Sequence, residues 1–231
     1  MGIENSLRGL EHELFEECYA SLGRFMFGRK KEAKHELPRV YETDSGDRVL
    51  IENYSDVVKK YLSPVIGKIK GYFSRVFGFT PLFRNVRIRI EKLPSRYLAL
   101  IERVGDRIRM YIRPVGKVFG YYDAPTQTIG IDPCVFPELN DPEREVLKKY
   151  EMLPTPERVI GEEFVHNVQH RVGVMDRLRK YAKKARDYIE GAAAYVSDRL
   201  FGRTNIYTRE KREYEKLVEK CGEKRAFLGG C

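Results

Sequence analysis

Five residues have the types and spacing for metal and proton chemistry: Glu162, Glu163, His166, His170 and Glu190. Residues four apart on an α-helix stand one above the other on one face. In Val159-Ile160-Gly161-Glu162-Glu163-Phe164-Val165-His166-Asn167-Val168-Gln169-His170, that spacing sets Glu162 beside His166, with His170 one turn further on. Glu163 flanks the same face, and Val159, Val165 and Val168 supply the opposite, buried side. Glu190 belongs to the next predicted helix. A chain turning back across Gly173 brings it to His166, and Gly191-Ala192-Ala193-Ala194 lets the helices approach closely. Carboxylates and imidazole hold divalent metals with a position open for water. A carboxylate beside such water is a general base. A second frame, His166-Asn167-Val168-Gln169-His170, also pairs two histidines at i and i+4. It lacks the base, because Asn167 takes that place; His170 is the substitute ligand if the helix rolls.

These side chains need a helical pair and a sheet to position them. Thr155-Pro156-Glu157 is a helix start, with a hydroxyl N-cap, proline at the first helical position and an acid in the first turn. It predicts a helix to about Arg171 that stops near Gly173. Asp176 opens the next, to about Leu200, and Thr208 opens a last charged helix that stops at Gly222. Val86, Ile88 and Ile90 alternate with Arg87, Arg89 and Glu91, as in a half-buried strand. Residues 97–104 and 107–112 flank Gly105-Asp106 as a hairpin, and 117–122 and 127–132 flank a second turn. Helices are also predicted over 4–26, over 52–78 with a break at Pro64, and after Asp141-Pro142. Residues 29–48 read as a linker or surface loop. Helices, then strands, then helices make an α+β pattern with a small antiparallel or mixed sheet.

With the elements laid out, the segment resembles the HExxH helix of zincin metallopeptidases, followed by glutamate on a later helix as in the gluzincin branch. The resemblance implies that Glu163 is the general base and that His166 and Glu190 are metal ligands. Glu162 stands where the first histidine ligand belongs and completes the implied set. Gln169 matches the H-E-x-x-H-x-x-Q variants, and Glu190-Gly191-Ala192-Ala193 resembles their E-G-x-A segment. Gly120-Tyr121-Tyr122-Asp123 with Thr128-Ile129-Gly130-Ile131-Asp132 resembles the strand pair before the active helix. There an edge strand holds substrate by backbone pairing, which implies substrate binding by Thr128, Ile129 and Gly130. The likeness covers about residues 85–200; Gln169 and Val172 stand where the metzincin branch needs Gly and His. The implied function is metal-dependent hydrolysis of a peptide bond in a peptide or protein substrate. Zinc is the implied cofactor, and the harder, more anionic Glu-His-Glu set keeps manganese and iron open. The implied division is a helical extension and linker over 1–48, a zincin-like domain over 49–205 and a charged helix and tail over 206–231. The rival reading is a catalytically inactive protein of this fold that binds an acidic partner such as nucleic acid.

Hydrophobic residues make up 42% and aromatic residues 12% of the 231 positions, which excludes a disordered chain. The net charge is +9, from 43 basic and 34 acidic residues, and favours acidic partners. Both signs nevertheless alternate along predicted helices such as KREYEKLVEKCGEKR, the pattern of a solvated, ion-paired face. No apolar run approaches the roughly 20 residues that span a bilayer. The first residues have neither a basic n-region nor an apolar h-region, so the expectation is a cytoplasmic protein. Cys18, Cys134, Cys221 and Cys231 form no CxxC pair and no disulfide framework, and Cys231 ends an exposed tail. Tyr195 and Tyr207 are oxyanion donors or, as helix-packed tyrosines, core. His12 and His35 have no partner at ligand spacing and read as surface residues.

Overall fold

Alternation along residues 84–90 sets the centre of the molecule: Val86, Ile88 and Ile90 are buried, whereas Arg87 and Arg89 are exposed. The computed structural model describes residues 37–104, 107–178, 182–203 and 207–230. The helix expected over 4–26, with His12, His35, Cys18 and Cys231, lies outside the described residues. The strands are Arg39–Glu42 (β1), Arg48–Ile51 (β2), Arg84–Ile90 (β3), Ser95–Val104 (β4), Arg107–Lys117 (β5), Gly120–Asp123 (β6) and Thr128–Ile131 (β7). The helices are Ser55–Phe77 (α1), Pro142–Lys149 (α2), Pro156–Arg171 (α3), Val174–Leu178 (α4), Ala182–Phe201 (α5), Thr208–Cys221 (α6) and Glu223–Phe227 (α7). The class is α+β: a small mixed sheet with several helices.

Five strands form one sheet in the order β1-β2-β3-β7-β6, and β4-β5 form a separate antiparallel hairpin. β2, β3 and β7 run parallel, while β1 and β6 close the two edges antiparallel. The parallel centre follows from α1, which carries the chain from the end of β2 back to the start of β3.

Two local expectations are corrected. Residues 39–42 and 48–51, the first within the segment read as loop, pair as β1 and β2. β1 is an edge strand whose side chains are mostly exposed, so it carries no apolar alternation to read. Its turn is held by the buried Asp47 carboxylate, which accepts from Thr43 (2.8 Å), Ser45 (2.9 Å), Lys70 (2.5 Å) and the Phe83 amide (3.0 Å). Pro64 does not break α1, which runs unbroken from Ser55 to Phe77. Proline removes one backbone donor; here it sits on the exposed face, where water can satisfy the carbonyl it leaves.

The buried stripe of α1, including Leu62, Ile66, Ile69, Phe73 and Phe77, belongs to one core with the sheet and α3. Phe83 packs edge-on against Phe164 of α3, ring centres 4.6 Å apart. The C-terminal helices close the same core: Tyr214 and Phe227 are fully buried, and the Phe227 ring lies 5.2 Å from Phe73 and 5.0 Å from Phe77. Cys134 is free and buried. No helix among the described residues is long and apolar enough to cross a membrane.

Candidate metal centre

The helix α3 begins as its sequence requires. Thr155 caps it by accepting from the Arg158 amide at 3.3 Å, Pro156 sits at the first turn, and Gly173 at φ 72° follows its end. It is not amphipathic. Every residue from Arg158 to Gln169 is buried. A helix buried on all sides is normally apolar, yet this one carries Glu162, Glu163 and His166 at 9%, 7% and 7% exposure. Charged groups this deep demand partners or a ligand.

α5 packs on α3 and supplies Glu190. Donor atoms of Glu162, His166 and Glu190 all lie within 4.8 Å of one another, with His166 Nε2 at 3.5 Å from Glu190 Oε2. One amide orients the imidazole. Gln169 Nε2 donates to the Ile189 carbonyl of α5 at 3.0 Å, so its Oε1 is left as acceptor and meets His166 Nδ1 at 2.8 Å. The proton is therefore on Nδ1, and Nε2 is the atom turned to the carboxylates. Two carboxylates and an imidazole nitrogen converging in this way are a donor set whose chemistry fits a divalent cation.

Burial raises the Glu162 and Glu163 carboxyls, Glu163 to about 8. Burial pushes His166 the other way, but Glu190, Glu163 and Glu162 outweigh it and carry the imidazole up to about 9. All three shifts favour the protonated form, through burial for the two carboxyls and through the neighbouring carboxylates for the imidazole.

His170 is not brought into this group. Its Nδ1 faces the Tyr122 hydroxyl at 2.9 Å, and that hydroxyl also accepts from Asn167 Nδ2 at 3.0 Å. One helical turn beyond His166, the ring reaches the sheet instead of α5.

Thr128, Ile129 and Gly130 are corrected as peptide-pairing residues. They lie on β7, which pairs with β3 on one side and β6 on the other, so its backbone groups are already used. The edge strand is β6. The Asp132 amide donates to Phe119 O at 2.9 Å. Antiparallel alternation then turns the backbone groups of Gly120 and Tyr122 away from β7. Gly120 lies hard against the base candidate: a Cβ there would fall 2.7 Å from Glu163 Oε1 and 2.8 Å from Val159.

A cleft of about 200 Å³ opens over these groups, lined by Gly120, Tyr121, Tyr122, Glu162, Glu163, His166, Met175, Ile189, Glu190 and Tyr207. Tyr207 stands on its wall, whereas Tyr195 is buried against Tyr214, ring centres 5.3 Å apart. Sequence reasoning missed Arg158 altogether. It is 2% exposed and lies 3.7 Å from Glu162; its i, i+4 spacing to Glu162 was the available signal.

A second convergence, Asp132, Cys134 and Glu143, has a different character. Lys117 Nζ, fully buried, lies 2.5 Å from Asp132, 3.0 Å from Glu143 and 2.9 Å from Leu93 O. Lys92 adds a contact of 2.7 Å to Glu143. Ammonium groups already occupy the place of a cation, so this is a structural ion cluster.

Comparison with protein-family models, with curated proteins and with solved structures returned no match. The functional reading rests on residues and geometry.

Proposed function

We propose that this chain is a zincin-like metal-dependent peptidase, with Glu162, His166 and Glu190 as ligands of a divalent cation and Glu163 as general base. The observation that carries the reading is the convergence of the three donor atoms within 4.8 Å, beneath a cleft bordered by an edge strand. Zinc suits the imidazole and carboxylate set; two carboxylates also admit manganese or iron. When bound, such a cation supplies Lewis acidity for the carbonyl and for water at neutral pH.

The remaining work falls to the chain. The outward backbone groups of Gly120 and Tyr122 pair with an extended peptide, as edge strands do. Glu163, beside Gly120, takes a proton from water as its oxygen adds to the scissile carbonyl carbon. It then gives that proton to the amine as the C–N bond breaks. Gln169 keeps the Nε2 lone pair of His166 directed at the site. Tyr207, on the cleft wall, is the proposed donor to the developing oxyanion.

The test is metal content of protein purified without a histidine tag or added metal, compared with His166→Ala. About one equivalent in wild type, lost in the variant, is expected. Cleavage from a peptide library should then stop with a chelator and with Glu163→Gln. No metal after incubation with zinc, manganese or iron would sink the hydrolase reading. Metal without cleavage would leave an inactive binding protein of this fold.

A further inference from the structure

A carboxylate at position 162 adds negative charge to the ligand set, and the structure holds an answer to that charge one helical turn away. Arg158, at 2% exposure, donates from Nη1 to Gly202 O at 2.9 Å and pairs with Asp198 Oδ1 at 2.6 Å. The other Asp198 oxygen meets Lys211 Nζ at 2.5 Å. Two cations thus share this aspartate, and the Arg158 guanidinium also turns toward a second carboxylate. It faces Glu162: Arg158 Nη2 stands 3.7 Å from Glu162 Oε2, and Nη2 and Nε are buried without a hydrogen-bond partner. With Glu162 ionised, Arg158, Lys211, Asp198 and Glu162 together carry no net charge. With a neutral residue at 162, a buried net cation would stand beside the metal centre, where a low dielectric makes repulsion large.

We infer that Arg158 is a positioning residue that offsets the charge of Glu162, so that this carboxylate serves the metal centre as a nearly neutral ligand. The inference rests on the proposed metal centre. It assigns Asp198, which holds Arg158, and Lys211, which shares that aspartate, to the same charge balance. Neither lies in the ligand set.

The balance predicts opposite signs at these two residues. Zinc affinity is measured by competition with a chromophoric chelator at fixed pH and ionic strength, with circular dichroism to check that each variant is folded. Asp198→Asn removes the negative charge that the two cations share and should weaken zinc binding about tenfold; Lys211→Met removes one cation and should tighten it by a similar factor. Glu162→His alone should bind weakly, and adding Arg158→Met should recover about tenfold or more. A purely structural role would weaken binding at both Asp198 and Lys211, or change neither, and either result overturns the inference. Equal zinc affinity of Glu162→His with and without Arg158→Met would do the same. Failure of wild type to bind zinc, manganese or iron defeats the metal centre itself, an outcome separate from these.

Discussion

At the scale of single residues, the candidate centre depends on which atom of His166 carries a proton. The chain from the Ile189 carbonyl through Gln169 to Nδ1 decides it. Gln169→Leu keeps the volume but removes both bonds. It is expected to weaken metal binding about 10–100-fold, the usual cost of losing an orienting partner. Chelator competition on the folded variant checks this; unchanged affinity would mean that packing alone orients the ring. The same residues set a pH dependence in metal-free protein. Glu163 rises from 4.5 to about 8 and His166 from 6.5 to about 9. Both groups hold protons more tightly folded than unfolded, so their contribution is complete below the unfolded values and is lost as pH rises through about 8 and 9. Urea unfolding in chelator at pH 5.5, 7 and 9 should therefore show falling stability. Flat or rising stability would contradict these shifts. Bound metal must displace the proton on His166 Nε2, so its affinity should rise as pH approaches about 9.

At the scale of elements, glycines around the candidate centre let neighbouring elements approach more closely than a Cβ would allow. A Cβ at Gly191 of α5 would fall 2.3 Å from the Glu210 carbonyl of α6, so this small residue serves the α5–α6 contact. It does not serve the α3–α5 approach that its place beside Glu190 suggested. Gly120 has the matching role between β6 and α3. Gly120→Ala would push the edge strand or Glu163 aside and is expected to cost about 1–3 kcal/mol of stability. Peptide cleavage should fall much more than metal affinity, because Glu163 moves while the three proposed ligands stay. Calorimetry and metal titration on one preparation separate the effects, and a variant with wild-type cleavage would refute the placement of β6 over the base.

At the scale of the whole molecule, the core runs from the sheet through α1 to the last helix, and Phe227 is wholly buried against Phe73 and Phe77. Phe227→Ala should cost about 3–5 kcal/mol, measurable by urea unfolding. A loss under 1 kcal/mol would mean that the C-terminal helices are a separable tail. The amino-acid sequence by itself determined the local geometry. Thr155-Pro156 had to start a helix, and i, i+4 spacing had to bring Glu162 and His166 to one face. The alternation in β3 had to bury Val86, Ile88 and Ile90. Those are short-range consequences of helix pitch, strand pleat and capping. Only the tertiary structure decided what lies between distant segments. Burial of α3 on all sides turned an ordinary charged face into a group with raised pKa values. Pairing on both flanks of β7 moved the free edge from Thr128–Gly130 to β6. Lys117 filled one acidic convergence and Arg158 balanced the other. Desolvation and charge pairing depend on neighbours contributed by segments far apart in the chain, and no spacing within one helix or strand encodes them.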